Sequence, residues 1–275
     1  MLHPLFFLHI PKTAGTTLNR VLDDSFAPEV TFDLYTDEQR LRLRDTTYEQ
    51  IARYDLVRGH VFISNFADIL DGPIPFRVFT FLRDPVARVI SEYNFLKTWP
   101  KSHVYRFLNE NNVTLAEYVT SDRPELRMRG RNGMVNSLSG VGLSSIEEGL
   151  EMAWHHLKER FLFFGILERF DESLLVLNKY LGLNRCFYER QNVLAKQAHR
   201  PVPAADIELI QEHNQADIAL YERAYVEFNR RIDVMGAPFQ SELRMFTKIN
   251  ERFQRVSSLI MERDGLMSGD IVNGK

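Results

Sequence analysis

Cysteine is nearly absent: Cys186 is the only one in 275 residues. A single thiol excludes an intramolecular disulfide and any cysteine-cluster zinc site. Long apolar runs are missing too. None approaches the ~18 residues of a membrane-spanning helix, and no basic stretch with a long apolar segment marks a signal peptide near Met1. Charge of one sign is also lacking. Thirty-four Lys and Arg face 37 Asp and Glu, a net charge of −3, so no global field draws the chain to nucleic acid or a membrane. There is no internal repeat and no low-complexity linker. What is present is 44% hydrophobic and 26% charged. That balance fits a globular chain long enough for one large α/β domain with a helical extension.

The apolar run 5–10 reads as a buried strand, and Pro11-Lys12-Thr13-Ala14-Gly15-Thr16-Thr17 follows it. Leu18, Val21 and Leu22 then continue at helical spacing. Strand, small-residue turn and helix start together form an anion cradle, because the first backbone N–H groups of a helix lack partners and the dipole favours negative charge. Lys12 adds a point charge, and Thr13, Thr16 and Thr17 add hydroxyls. The expected ligand is a phosphate-bearing nucleotide. The order differs from the GxxxxGKS/T loop of nucleoside triphosphatases, since Lys12 precedes Gly15 and nothing occupies the magnesium-binding Ser/Thr position.

A second strand is expected at 77–82, ending in Arg83-Asp84-Pro85 and a helix that carries Ser91. Pro85 suits the first helical turn and Asp84 its N-cap. Arg83 then stands at the carboxyl edge of the sheet, where open α/β sheets bind ligands. A guanidinium fork with the Ser91 hydroxyl suits a second, separate phosphate.

These two segments together resemble the sulfotransferase superfamily, and most closely its carbohydrate 2-O-sulfotransferase branch, which includes the heparan and dermatan enzymes. The resemblance spans most of 5–230. It implies that the Lys12–Thr17 turn binds the 5′-phosphosulfate, and Arg83 with Ser91 the 3′-phosphate, of 3′-phosphoadenosine 5′-phosphosulfate (PAPS). It implies an α/β fold with a P-loop-NTPase-like central parallel sheet flanked by helices. The branch has a His-Gly-His-Val segment; here it reads Arg58-Gly59-His60-Val61. His60 is therefore the expected general base and Lys12 the group that stabilises negative charge. Arg58 departs from the pattern: a guanidinium cannot serve as a base, and it is read as binding acceptor or sulfate. Glu92 and His9 stand in reserve as bases. Phe163 through Leu174 and Asn214 through Tyr221 resemble further segments of the branch. Arg190 and Lys196 fall where the family has a nucleotide-side loop.

The stretch 123–132 holds four arginines and admits three readings: a wall for an acidic acceptor, with Arg127 and Arg131 as contacts, closure over the 3′-phosphate, or a solvated loop. His155 and His156 are adjacent and do not share a helix face, so no metal is expected. Helices are predicted over 37–53 (capped by Asp37), 103–120, 145–160, 171–181 and 204–231, with 121–140 a loop or broken helix. The expected division is a sulfotransferase domain over 1–235 and an amphipathic helix with a flexible tail over 236–275. Leu243, Phe246, Ile249, Phe253, Val256 and Ile260 form one stripe, packed in cis or paired with its copy in a homodimer. The reaction expected is sulfuryl transfer to a hydroxyl of a glycan, glycolipid or small metabolite. A nucleotide kinase or a non-catalytic PAPS-binding module is the alternative. The animal glycan enzymes are membrane-anchored and lumenal; without an evident anchor, a cytoplasmic bacterial enzyme is expected here.

Overall fold

Runs that are apolar at every position cannot leave a face in water, and they assemble as the interior of a parallel sheet. In the computed structural model Leu5–Leu8 and Phe163–Ile166 are such runs within a five-stranded sheet; residues 4–65, 76–140, 144–184, 186–189 and 201–263 are described. The strands are β1 (Leu5–Leu8), β2 (Thr31–Leu34), β3 (Leu56–Gly59), β4 (Arg77–Leu82) and β5 (Phe163–Ile166). Their order is β2-β3-β1-β4-β5, and every pairing is parallel. The chain leaves β1 toward one edge and β4 toward the other. The topological switch point, where ligands of open sheets bind, therefore lies at the carboxyl ends of β1 and β4.

Twelve helices surround the sheet among the described residues: α1 (Gly15–Asp23), α2 (Asp37–Arg42), α3 (Tyr48–Ile51), α4 (Pro85–Thr98), α5 (Tyr105–Glu110), α6 (Leu115–Thr120), α7 (Pro124–Gly130), α8 (Gly133–Ser139), α9 (Ile146–His155), α10 (Phe170–Leu181), α11 (Ala204–His213) and α12 (Gln215–Arg263). The central parallel sheet with helices and a long C-terminal helix is the fold class the sequence implied.

Three predicted helix boundaries need correction. The single helix over 37–53 is two, because Thr36 and Thr47 each start a capping box, with Gln39 and Gln50 returning the bond. The cap of α2 is Thr36, not Asp37. The helix over 103–120 breaks at Asn112, which has a positive φ of 49°, and restarts at the Thr114–Glu117 capping box. The prediction over 145–160 holds: α9 passes at His156 into a wider π turn that runs to Arg160. The helix over 204–231 is interrupted at Asn214, whose side chain donates to the Gly130 carbonyl at 2.9 Å and accepts from the Asn132 amide at 2.8 Å. Asn214 thereby fixes the α7–α8 corner.

Helix α12 kinks at Gly236, where φ is 64°, a left-handed value that glycine adopts without steric cost. Beyond the kink Phe239 and Phe246 join the core under the sheet, and Phe187 stacks on Phe246. The rest of the predicted stripe, Ile249, Phe253, Val256 and Ile260, is exposed. Residues after 263 lie outside the described residues, as do Arg190 and Lys196. Among the described residues no helix is long and apolar enough to cross a membrane.

Candidate active site

The turn after β1 is built with two non-glycine residues at positive φ, Lys12 at 70° and Ala14 at 75°. Such conformations cost about 1–3 kcal/mol each and concentrate at functional sites. The Thr13 hydroxyl offsets part of that cost by donating to the Ile10 carbonyl at 2.8 Å, so it closes the turn. Ala14 is the left-handed N-cap of α1, and no side chain caps that end. An uncapped N-terminus two residues after a lysine is a combination that suits an anionic ligand. Thr16 is exposed there and Thr17 buried. The Lys12 ammonium lies 4.0 Å from the centroid of the Phe95 ring, and burial lowers its pKa, opposed by the field of Glu92 and aided by Arg83.

Gly15 is required by packing. A Cβ on it would lie 1.8 Å from the His9 imidazole. Gly15→Ala is therefore expected to expel the His9 ring and cost about 1–3 kcal/mol. Thermal unfolding monitored by circular dichroism checks this; an unchanged midpoint would refute the packing argument.

Strand β4 delivers Arg83 to the same place. Its Nη1 donates to the Lys12 carbonyl at 3.1 Å, which joins the two loops across the switch point. Asp84 caps α4 by accepting from the Ala87 amide at 2.8 Å, with Pro85 at the first helical position, as the sequence suggested. Ser91 follows two turns on, and its hydroxyl has no hydrogen-bond partner among the described residues. The residues present suit a doubly phosphorylated nucleotide: an uncapped helix start preceded by Lys12, with Arg83 joined to the same turn and Ser91 on the helix that follows it.

Strand β3 delivers His60. Its Nδ1–H donates to the His9 carbonyl at 2.9 Å. Nε2 is then the unprotonated nitrogen, available as a base. The ring packs on His9, with centroids 4.2 Å apart, and stands edge-on to Tyr35 at 5.1 Å. Tyr35 in turn is held by Asn19 at 2.8 Å. Burial pushes the His60 pKa down to about 4; the bond to the His9 carbonyl opposes this, and Arg129, Arg40 and Lys12 reinforce it. His9 is pushed well below its ordinary value by its own burial, then by His60, Lys12 and Arg58.

Arg58 lies beside this constellation and not in it. Its Nε donates to Asp33 at 2.7 Å, its Nη2 pairs with Asp23 at 2.7 Å and its Nη1 donates to the Asn19 carbonyl at 3.3 Å. It ties β3 to β2 and α1, and every guanidinium nitrogen has a partner. Arg131 is likewise turned inward, to the Val119 and Thr120 carbonyls and Asp122. Arg127 is different. It lines a cleft of about 480 Å³ with Phe62, Ser64, Met128, Asn136 and Ile146 among others, and among the described residues no carboxylate lines it. The reserve base Glu92 is buried with both oxygens bound by Arg88 and Arg129. Sequence reasoning passed over Tyr35, which packs edge-on to His60, and singled out Arg127 and Arg131 from their stretch but not Arg129, which pairs with Glu92. Neither Tyr35 nor Arg129 belongs to a local motif. No cluster suited to a metal ion occurs among the described residues.

A family model described as "Sulfotransferase family" matches residues 2–225. The chain belongs to the sulfotransferase family. A solved structure of mouse sulfotransferase SULT7A1 complexed with PAP is similar at 13% identity, with a TM-score of 0.41. The match covers 76% of this chain and 63% of that one, so this family member spans under two thirds of its length. No curated protein matches.

Proposed function

We propose that the protein transfers a sulfuryl group from PAPS to an acceptor hydroxyl of a glycan, glycolipid or small metabolite, in the manner of the carbohydrate 2-O-sulfotransferase branch. The observation that carries the reading is the Arg83–Lys12 contact of 3.1 Å. It joins the loop after β1 to the loop after β4 at the switch point, which supports reading the two loops as the 5′- and 3′-phosphate sites of one nucleotide.

PAPS, when bound, supplies the sulfuryl group. Lys12 and the backbone amides from Ala14 to Thr17 hold the 5′-phosphate, and Lys12 stabilises the charge that grows on it. Arg83 and Ser91 hold the 3′-phosphate and so select this nucleotide over those without one. His60 Nε2 takes the proton of the attacking hydroxyl, while its Nδ1–H bond to the His9 carbonyl keeps the ring oriented. As the new S–O bond forms, the bond to the leaving phosphate breaks and its electron pair stays with that phosphate. The acceptor enters by the cleft that Arg127 lines, whose residue Phe62 is two positions from His60.

Calorimetry with 3′-phosphoadenosine 5′-phosphate (PAP), against ATP with magnesium, tests the reading. PAP is expected to bind, and binding is expected to collapse in Arg83→Ala. Preference for ATP-magnesium would point to a kinase instead.

A further inference from the structure

Arg88, Ser91, Glu92 and Phe95 share one face of α4, by their i, i+3, i+4 and i+7 spacing. Phe95 carries the Lys12 ammonium. Glu92, one residue from Ser91, is buried between two guanidinium groups. Its Oε2 accepts from Arg88 Nη1 at 2.8 Å and its Oε1 from Arg129 Nη1 at 3.0 Å. Arg88 is itself buried, donates to the Arg129 carbonyl at 3.0 Å and lies 3.7 Å from Asp217. Asp217 accepts from the amides of Met134 and Val135 at the start of α8.

The result is a clamp on Arg129. Its backbone carbonyl and one guanidinium nitrogen are fixed, while Nε and Nη2 have no partner among the described residues and the side chain is 36% exposed. Arg131, in the same stretch, has all three of its nitrogens bonded, to the Val119 and Thr120 carbonyls and Asp122. Arg129 instead keeps Nε and Nη2 unpartnered among the described residues while Nη1 is held on Glu92, next to Ser91 on α4.

We propose that Arg129 is a catalytic residue of the transfer centre, contacting the sulfuryl oxygens of the donor opposite Lys12, with Glu92 holding it in place. This rests on the PAPS reading above. A sulfuryl group carries its charge on terminal oxygens that a planar fork can bridge. The Glu92 carboxylate keeps the fork in one orientation before the donor arrives, so little side-chain entropy is lost on binding. Consistent with this position, Arg129 is foremost among the charged side chains that lower the His60 pKa.

PAP and PAPS differ only by the sulfuryl group, so calorimetry of both without acceptor isolates the contact. Arg129→Gln is expected to leave PAP affinity unchanged and to weaken PAPS by about tenfold, the scale of a lost charge-assisted contact. Arg129→Lys should recover part of the PAPS affinity. Equal weakening of both nucleotides would assign Arg129 to the fold or to the 3′-phosphate and overturn the proposal, as would no change in either. If the wild type binds PAP and only the differential is missing, the proposal falls alone. Failure of the wild type to bind PAP removes the donor reading and the proposal with it.

Discussion

Lys12→Ala is expected to lower sulfuryl transfer by about 10²–10³-fold, the scale of removing one preorganised charge-stabilising donor, and to weaken PAP severalfold. The substitution is informative because the backbone need not follow it. Lys12 sits at a φ of 70°, a conformation as costly for alanine as for lysine, so the turn carries the same strain in both proteins. The Arg83–Lys12 bond uses the carbonyl of residue 12 and survives as well. What disappears is the ammonium over Phe95. Arginine at this position keeps the charge on a longer, planar group and should recover little. Calorimetry with PAP, alongside transfer of labelled sulfuryl from PAPS to a panel of hydroxyl acceptors, measures both effects. Unchanged transfer would remove Lys12 from the chemistry, and with it the role of the whole turn.

The two loops proposed to hold the donor were legible in the sequence as strand–turn–helix units because each is local. A strand, its turn and the following helix lie within some twenty residues, and turn chemistry reads directly from Gly15, Pro85 and Asp84. The capping boxes were equally present as Thr36-x-x-Gln39, Thr47-x-x-Gln50 and Thr114-x-x-Glu117, and reading them would have split the overlong helices. Long-range pairing was not legible. Arg58 looked like an acceptor ligand because its partners are distant in sequence. Register places it opposite Asp33 on β2, and strand order, which no single segment encodes, puts β3 between β2 and β1. Arg129 was indistinguishable from its neighbours for the same reason: what separates it from Arg127 and Arg131 is Glu92, 37 positions away. The proposed donor half of the site therefore reads from motifs, and the proposed acceptor half only from tertiary structure.

His60→Ala is expected to lower transfer by about 10²–10⁴-fold, the contribution of a positioned general base, with PAP affinity retained. His60→Asn is the sharper variant, since its amide can still donate to the His9 carbonyl while no basic nitrogen remains. Equal losses in both variants would locate the effect in Nε2. The pH profile carries a second signature. The folded pKa of about 4 lies below the ordinary histidine value, so the free protein keeps the ring neutral as pH falls through 6 and protonates it only near 4. The acid limb of kcat/KM for the donor, which reports the free enzyme, should therefore fall near pH 4 and not near 6.5. Bound phosphates reverse part of the repulsion from Lys12, Arg129 and Arg40, because an adjacent negative charge favours imidazolium. The acid limb of kcat should accordingly lie at higher pH than that of kcat/KM. An acid limb that persists unchanged in His60→Asn would assign the titration to another group and take the base from His60.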